Sequence, residues 1–265
     1  MESYSLDNFR RWFEAYTSRF LGDDECVNAH VRMKQEHTRR TCEETLVLAE
    51  RLALDDQQTQ IAEVVALFHD IGRFPQFAEY HTFNDAKSID HSHLSVEVLR
   101  REGVLGVLRR EERQWVETAI EHHGHRSLPA QLNGQALLFS KLIRDVDKLD
   151  IYRAVIALYR RYRADPAGFP WELELPDEPR CSADVLDAVM NGKLIDHTAM
   201  RTLNDAMLCK LSWVYDMNFA ASLARLREQG SLEQVLSLLP ATPEIESLGE
   251  KIFAYVDARL HQSVG

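Results

Sequence analysis

The stretch Ala66 to Phe77, ALFHDIGRFPQF, runs from apolar residues directly into an imidazole and a carboxylate, His69-Asp70. Burying either group alone is costly unless it is paired or bound to a metal. The pair therefore either faces solvent at a helix end or shares a ligand. Groups of the same kind follow one another along the chain: His37 before the pair, then His91 and His93, His122-His123, and Asp145 with Asp147. Each stands at or near the end of a helical pattern. In a helical protein, metal ligands need not be neighbours in sequence; they need to project inward from facing helices. Imidazole nitrogens mixed with carboxylate oxygens suit Mn, Fe or Zn. Successive helical residues point roughly 100° apart. His69 and Asp70 can thus approach one ion from two sides, or Asp70 can bridge two ions while His69 holds one.

Basic residues accompany these positions. Arg73 follows the His-Asp pair, Lys87 precedes His91, Arg144 precedes Asp147, and Lys148 follows it directly. Two divalent ions can clamp a phosphoryl group, and each of these cations can either donate to its oxygens or pair with a nearby carboxylate. Arg73 and Lys148 are the preferred phosphate holders because they flank ligand positions. Phe74, Phe77, Tyr80 and Phe83 lie in a loop-like stretch between the His-Asp pair and His91. They either pack over the metals against a substrate group or anchor a loop to the core, and anchoring is the preferred alternative. No Walker A loop, GxGxxG, GxSxG or HExxH pattern offers a different chemistry.

Helices must position these groups. Leu46, Ala49, Leu52 and Ala53 share one helical face, and Ile61, Val64, Val65 and Phe68 share another. Periodic segments follow near 93–101, 111–123, 135–162, 183–191, 198–228 and 244–262. Asp55-Asp56 and Ser231 are expected N-caps. Alternation of strand type occurs only at Trp171 to Leu175, too short to found a sheet, so the expected fold class is all-α. Pro166, Pro170, Pro176 and Pro179 mark a long loop. It either divides two domains or is a surface excursion within one, and the second is preferred on loop-length grounds.

The ordered blocks QEHTRR, LFHDIGRF, DAKSIDHSHLSVEVL, AIEHHGH and LIRDVDKLDIYR resemble the HD-domain superfamily of metal-dependent phosphohydrolases, over roughly residues 30 to 155. They are most similar to its YqeK-like and HD-GYP-related branch. The resemblance implies an HD-domain helical bundle over 20–162. A proline-rich loop at 163–182 and C-terminal helices at 183–265, packed on the core as one compact domain, complete the expected organisation. It implies His37, His69, Asp70, His91, His123 and Asp147 as metal ligands, for one or two divalent ions among Mn, Fe, Zn, Ni and Mg. Asp70 would also orient a metal-activated hydroxide, and His122 would carry a proton to the leaving oxygen. Arg73, Lys87, Arg144 and Lys148 would hold the substrate phosphate. Serine at 95 departs from the glycine of the family pattern. No GYP tripeptide follows His122-His123, which argues against cyclic di-GMP. His93 is expected on the far side of its helix, and Asp145 as exposed or supporting a ligand. His81, His125, His197 and His261 are expected at the surface, as are Asp205, Asp216 and Arg201. Rival readings with nearly the same ligands are a di-iron oxygenase of the HD fold and a nucleotide-sensing module without turnover.

Composition narrows the partners. Of 265 residues, 45% are hydrophobic and 28% charged, and 31 Lys and Arg face 42 Asp and Glu for a net charge of −11. That balance argues against broad binding to nucleic acid or an anionic membrane. The expected partner is a small phosphorylated substrate such as a nucleotide, with a homodimer as a further option. Cys26, Cys42, Cys181 and Cys209 form no CxxC pair. The opening MESYSLDNFRRW lacks the order of a signal peptide, and no apolar run has the length of a membrane span. The expected location is a reducing cytoplasm.

Overall fold

The computed structural model describes residues 6–167 and 175–262, and no strand occurs among them. Trp171 to Glu174, the bulk of the alternating stretch, lie outside the described residues. The helices are α1 (Leu6–Thr17), α2 (Glu25–Arg51), α3 (Asp56–Phe68), α4 (Arg73–Tyr80), α5 (His91–Glu102), α6 (Arg110–His122), α7 (Gly134–Ala164), α8 (Ala183–Met190), α9 (Leu203–Ser212), α10 (Ala220–Glu228), α11 (Ser231–Leu236) and α12 (Pro243–His261). The all-α class expected for an HD-type bundle is the class observed. Packing divides the chain into two compact units, Met1–Asp147 and Lys148–Gly265, with the division inside α7. No helix among the described residues is long and apolar enough to cross a membrane.

In the first unit α3 packs against α1, α2 and α6. Its start is set by Asp55, whose carboxylate takes the Gln58 N–H while the Gln58 side chain returns to the Asp55 N–H. Every residue from Ile61 to Phe68 is buried, and the Phe9 and Trp12 rings of α1 meet the Phe68 ring edge-on. The face expected on α2 is corrected. Only Ala49 of that set is fully buried; Leu46 is 42% exposed, and Ala53 leaves the helix with φ 51°. The face that α2 buries here runs through Thr41, Thr45, Leu48 and Ala49 instead.

The stretch after His69-Asp70 is also corrected: its first half is helix α4. Gly72 sits at the N-terminus of α4, where the chain passes against the start of α5. A Cβ there would lie 2.6 Å from the Ser95 amide nitrogen and 2.7 Å from the His91 carbonyl oxygen. Ser95 Oγ accepts the Gly72 N–H at 2.9 Å, which gives the serine at this position a structural use.

In the second unit α8 packs on α9 and α12, and α10 on α11 and α12. The long periodic segment at 198–228 is broken into a 3-10 turn, α9, a second 3-10 turn at Trp213–Asp216, and α10. Ser231 is the first helical residue of α11 rather than its cap, which is Gly230 at φ 62°. Asp205 is fully buried, against expectation. It caps α9 reciprocally with Thr202 and accepts from the Ser182 amide and hydroxyl and the Arg201 amide. Arg201 is exposed and pairs with Asp184.

Overpacking of the kind a Gly72→Ala substitution introduces costs about 1–3 kcal/mol. The variant is expected to show a lower denaturant midpoint with an unchanged slope; an unchanged midpoint would mean that α4 and α5 separate freely.

Candidate metal centre

Two helix ends present the central groups in the same way. His69 follows α3 and its Nδ1 donates to the Ala66 carbonyl at 2.8 Å. His123 follows α6 and its Nδ1 donates to the Ile120 carbonyl at 2.7 Å. Each imidazole thereby caps its own helix, and each Nε2 is left as an acceptor directed inward. His91 begins α5, whose cap Asp90 takes the Ser92 and His93 amides. The His91 Nδ1 lies 2.5 Å from Asp85 Oδ2, so its Nε2 is the free acceptor too. Gly124 lets the turn after α6 close over this ring, since a Cβ there would lie 2.8 Å from His91 Cε1.

These nitrogens converge on Asp70, which is 4% exposed. On one side Asp70 Oδ2 lies 3.5 Å from His37 Nε2 and 3.7 Å from His69 Nε2. The two nitrogens are 3.2 Å apart. Asp147 Oδ1 completes this group, 3.2 Å from His37 and 3.8 Å from His69. On the other side Asp70 Oδ1 lies 3.6 Å from both His91 Nε2 and His123 Nε2, which are 3.1 Å apart. All six residues proposed as ligands from the sequence are brought together in this way.

The arrangement fits divalent metal. Two imidazole acceptors cannot share a proton-free contact of 3.1 Å without repulsion, and a cation between them removes it. His91 is held neutral at physiological pH: burial and the charge of Arg73 push its pKa down to about 4 against the hydrogen bond to Asp85. Burial would raise the Asp70 carboxyl, but Lys34, His69, His123 and Arg73 hold it well below the usual range. Burial would likewise raise the Asp147 carboxyl, and the adjoining His37 and His69 rings outweigh it and hold it well below the usual range. A neutral His91 beside the ionised Asp70 and Asp147 has the protonation states that ligation requires.

The cations expected to hold phosphate are placed differently. Arg144 is buried and donates to the His123, His125 and Arg126 carbonyls, closing the end of α6. Lys148 pairs with Asp216 at 2.7 Å in the second unit. Arg73 Nη1 donates to Gln76 Oε1, the Phe83 carbonyl and Asp85 Oδ1; its buried Nε faces Asp70 Oδ1 at 3.6 Å. Lys87 is exposed on the 3-10 turn Asp85–Lys87. His122 lies outside the cluster, with its Nδ1 3.2 Å from His125 Nδ1. Asp145 is fully buried, so it is not a surface carboxylate. His93 lies on the outer face of α5, against Glu121.

Two neighbours of the cluster, Lys34 and Asp85, were not singled out from the sequence. Lys34 Nζ lies 2.6 Å from Asp70 Oδ2 and 5.3 Å from the Phe83 ring centroid. Its signal was available: it stands three residues before His37, on the same helical face. Asp85 has no such signal, because a loop carries it to His91. Its carboxyl, which burial would raise, is brought down to about 2 by the hydrogen bond and charge of His91, the charge of Arg73 and the hydrogen bond of Gln76.

The Arg144 contacts make a stability prediction. Arg144→Met leaves the buried His123 carbonyl without this donor, at about 1–3 kcal/mol. A clear drop in thermal midpoint is expected; a variant with wild-type stability and weakened substrate binding would return Arg144 to phosphate recognition.

Residues 35–154 match the family model of the HD domain, a span that contains every ligand position above. The match is to the HD domain in general and singles out neither the YqeK-like nor the HD-GYP-related branch. No curated protein and no solved structure matches the chain significantly. Residues 35–154 thus match the HD domain, the family that the ordered His and Asp blocks resemble.

Proposed function

We propose that the first unit hydrolyses a phosphoester or phosphoanhydride of a nucleotide or another small phosphorylated metabolite. Divalent ions would be held at two positions, one by His37, His69, Asp70 and Asp147, the other by Asp70, His91 and His123. The observation that carries the reading is Asp70: each of its oxygens faces a different pair of imidazole acceptors. A buried carboxylate shared in this way is the arrangement a bridging ligand needs.

Ions bound there would supply Lewis-acid charge to a phosphoryl group and bring the pKa of bound water toward neutrality. The chain's own contribution is threefold. The Nδ1 bonds of His69, His91 and His123 fix which nitrogen each ring offers. Asp70 and Asp147 stay ionised because the surrounding cations and imidazoles outweigh their burial. Lys34, half-buried beside Asp70, replaces Arg144 and Lys148 as the proposed donor to a phosphate oxygen. Arg73 backs Asp70 and holds the 83–85 segment. His122 is given no role, since its partner is His125.

Metal analysis of the purified chain, with phosphate release measured across nucleotides, dinucleoside polyphosphates, cyclic nucleotides and sugar phosphates, tests the reading. Metal-dependent phosphate release that disappears in Asp70→Asn is expected. No release with Mn²⁺, Mg²⁺, Fe²⁺ or Zn²⁺, or an oxygen-dependent spectrum from two irons instead, would overturn it. Lys34→Met should keep the metal and lose about tenfold to a hundredfold in kcat/KM, the worth of one charge-assisted hydrogen bond.

A further inference from the structure

We infer that Asp85 is a positioning residue for the ion position formed by Asp70, His91 and His123. The inference rests on the two-position reading above. His69 and His123 donate their Nδ1 protons to neutral backbone carbonyls. Among these three imidazoles His91 alone is backed by a carboxylate, Asp85 Oδ2 at 2.5 Å. A carboxylate partner makes an imidazole a stronger donor to metal and locks its tautomer.

Asp85 is itself held from several sides. Its Oδ1 accepts from Arg73 Nη1 at 2.8 Å and from Gln76 Nε2 at 2.9 Å. Gln76 is fully buried and its amide also donates to Ser88 Oγ and the Ile89 carbonyl. Arg73 further grips the Phe83 carbonyl. Two residues of α4 thus lash the connection to α5 in place, and Asp85 passes that rigidity to the His91 ring. On the opposite edge Gly124 allows the turn after α6 to come against Cε1 and the Ser92 hydroxyl. The ring has one orientation, with Nε2 toward Asp70 Oδ1 and His123. Arg73, which holds Asp85, also faces Asp70, but at Oδ1, the oxygen on the His91 and His123 side.

Mn²⁺ titration of the metal-free full chain, followed by equilibrium dialysis and electron paramagnetic resonance, tests this without using activity. The wild type should take two ions that give an exchange-coupled signal. Asp85→Asn should keep one ion at wild-type affinity and bind the second about tenfold to a hundredfold more weakly, so that at limiting Mn²⁺ an isolated six-line signal replaces the coupled one. Asp85→Glu should restore part of the second affinity. A merely structural loss would weaken both ions together, and that result overturns the inference, as does a variant that binds both with wild-type affinity. A wild type that takes a single ion overturns it while leaving metal-dependent hydrolysis standing. A wild type that takes none overturns both.

Discussion

A carboxylate buried between imidazoles is the constraint around which the first unit is built. Asp70 is nearly inaccessible to solvent, and an unpaired charge there would cost several kcal/mol, on the order expected for a desolvated ion. Lys34 from α2, Arg73 from α4 and the surrounding imidazoles offset that cost. The two oxygens divide their surroundings cleanly, His37 and His69 on one side, His91 and His123 on the other. Every helix that borders Asp70 supplies either a charge or a ring nitrogen to it. Removing the shared charge would leave acceptor nitrogens crowded against one another with nothing to separate them.

Helix termini do most of the positioning. α3 and α6 both end in a histidine that spends its Nδ1 proton on a carbonyl of its own last turn. Such carbonyls lack intrahelical partners, so the same bond finishes the helix and aims the ring. Arg144 completes the end of α6 by taking carbonyls beyond it. Glycines at 72 and 124 matter through the space they leave rather than through unusual dihedrals: one admits the backbone of α5, the other the ring of His91. The centre is therefore a meeting of three helix ends, which carry His69, His91 and His123, with the middles of α2 and α7, where His37 and Asp147 stand well inside their helices rather than near the ends expected from the sequence.

Basic residues near ligand positions divide into those that serve the scaffold and those that face the centre. Sequence proximity does not separate the two sets. Arg144 and Lys148 stand closest to Asp147 along the chain, yet the first closes a turn and the second pairs with Asp216. On α7, a step of one residue swings Lys148 roughly 100° from Asp147, whereas Arg144, three residues before Asp147 and on the same face, is drawn instead to the carbonyls after α6. Lys34 stands at the same three-residue spacing from His37 and does reach a carboxylate of the centre, Asp70.

The helical class, the start of α3 at Asp55 and the choice of the six His and Asp residues that gather around Asp70 were legible in the sequence. Each rests on a local rule: apolar periodicity, a capping side chain, or an ordered series of motifs. The burial of Asp205 and Asp145, the exposure of Leu46, the helical form of the stretch after Gly72, and the roles of Asp85 and Arg144 were not. Those depend on which groups lie across from one another once helices pack, and a linear pattern carries no information about that distance. Residue types and their order determined that this chain holds a set of imidazoles and carboxylates suited to a divalent cation. Tertiary packing alone decided that Asp70 stands between two pairs of them, because the burial that makes its charge costly, and the cations and rings that offset the cost, come from separate helices.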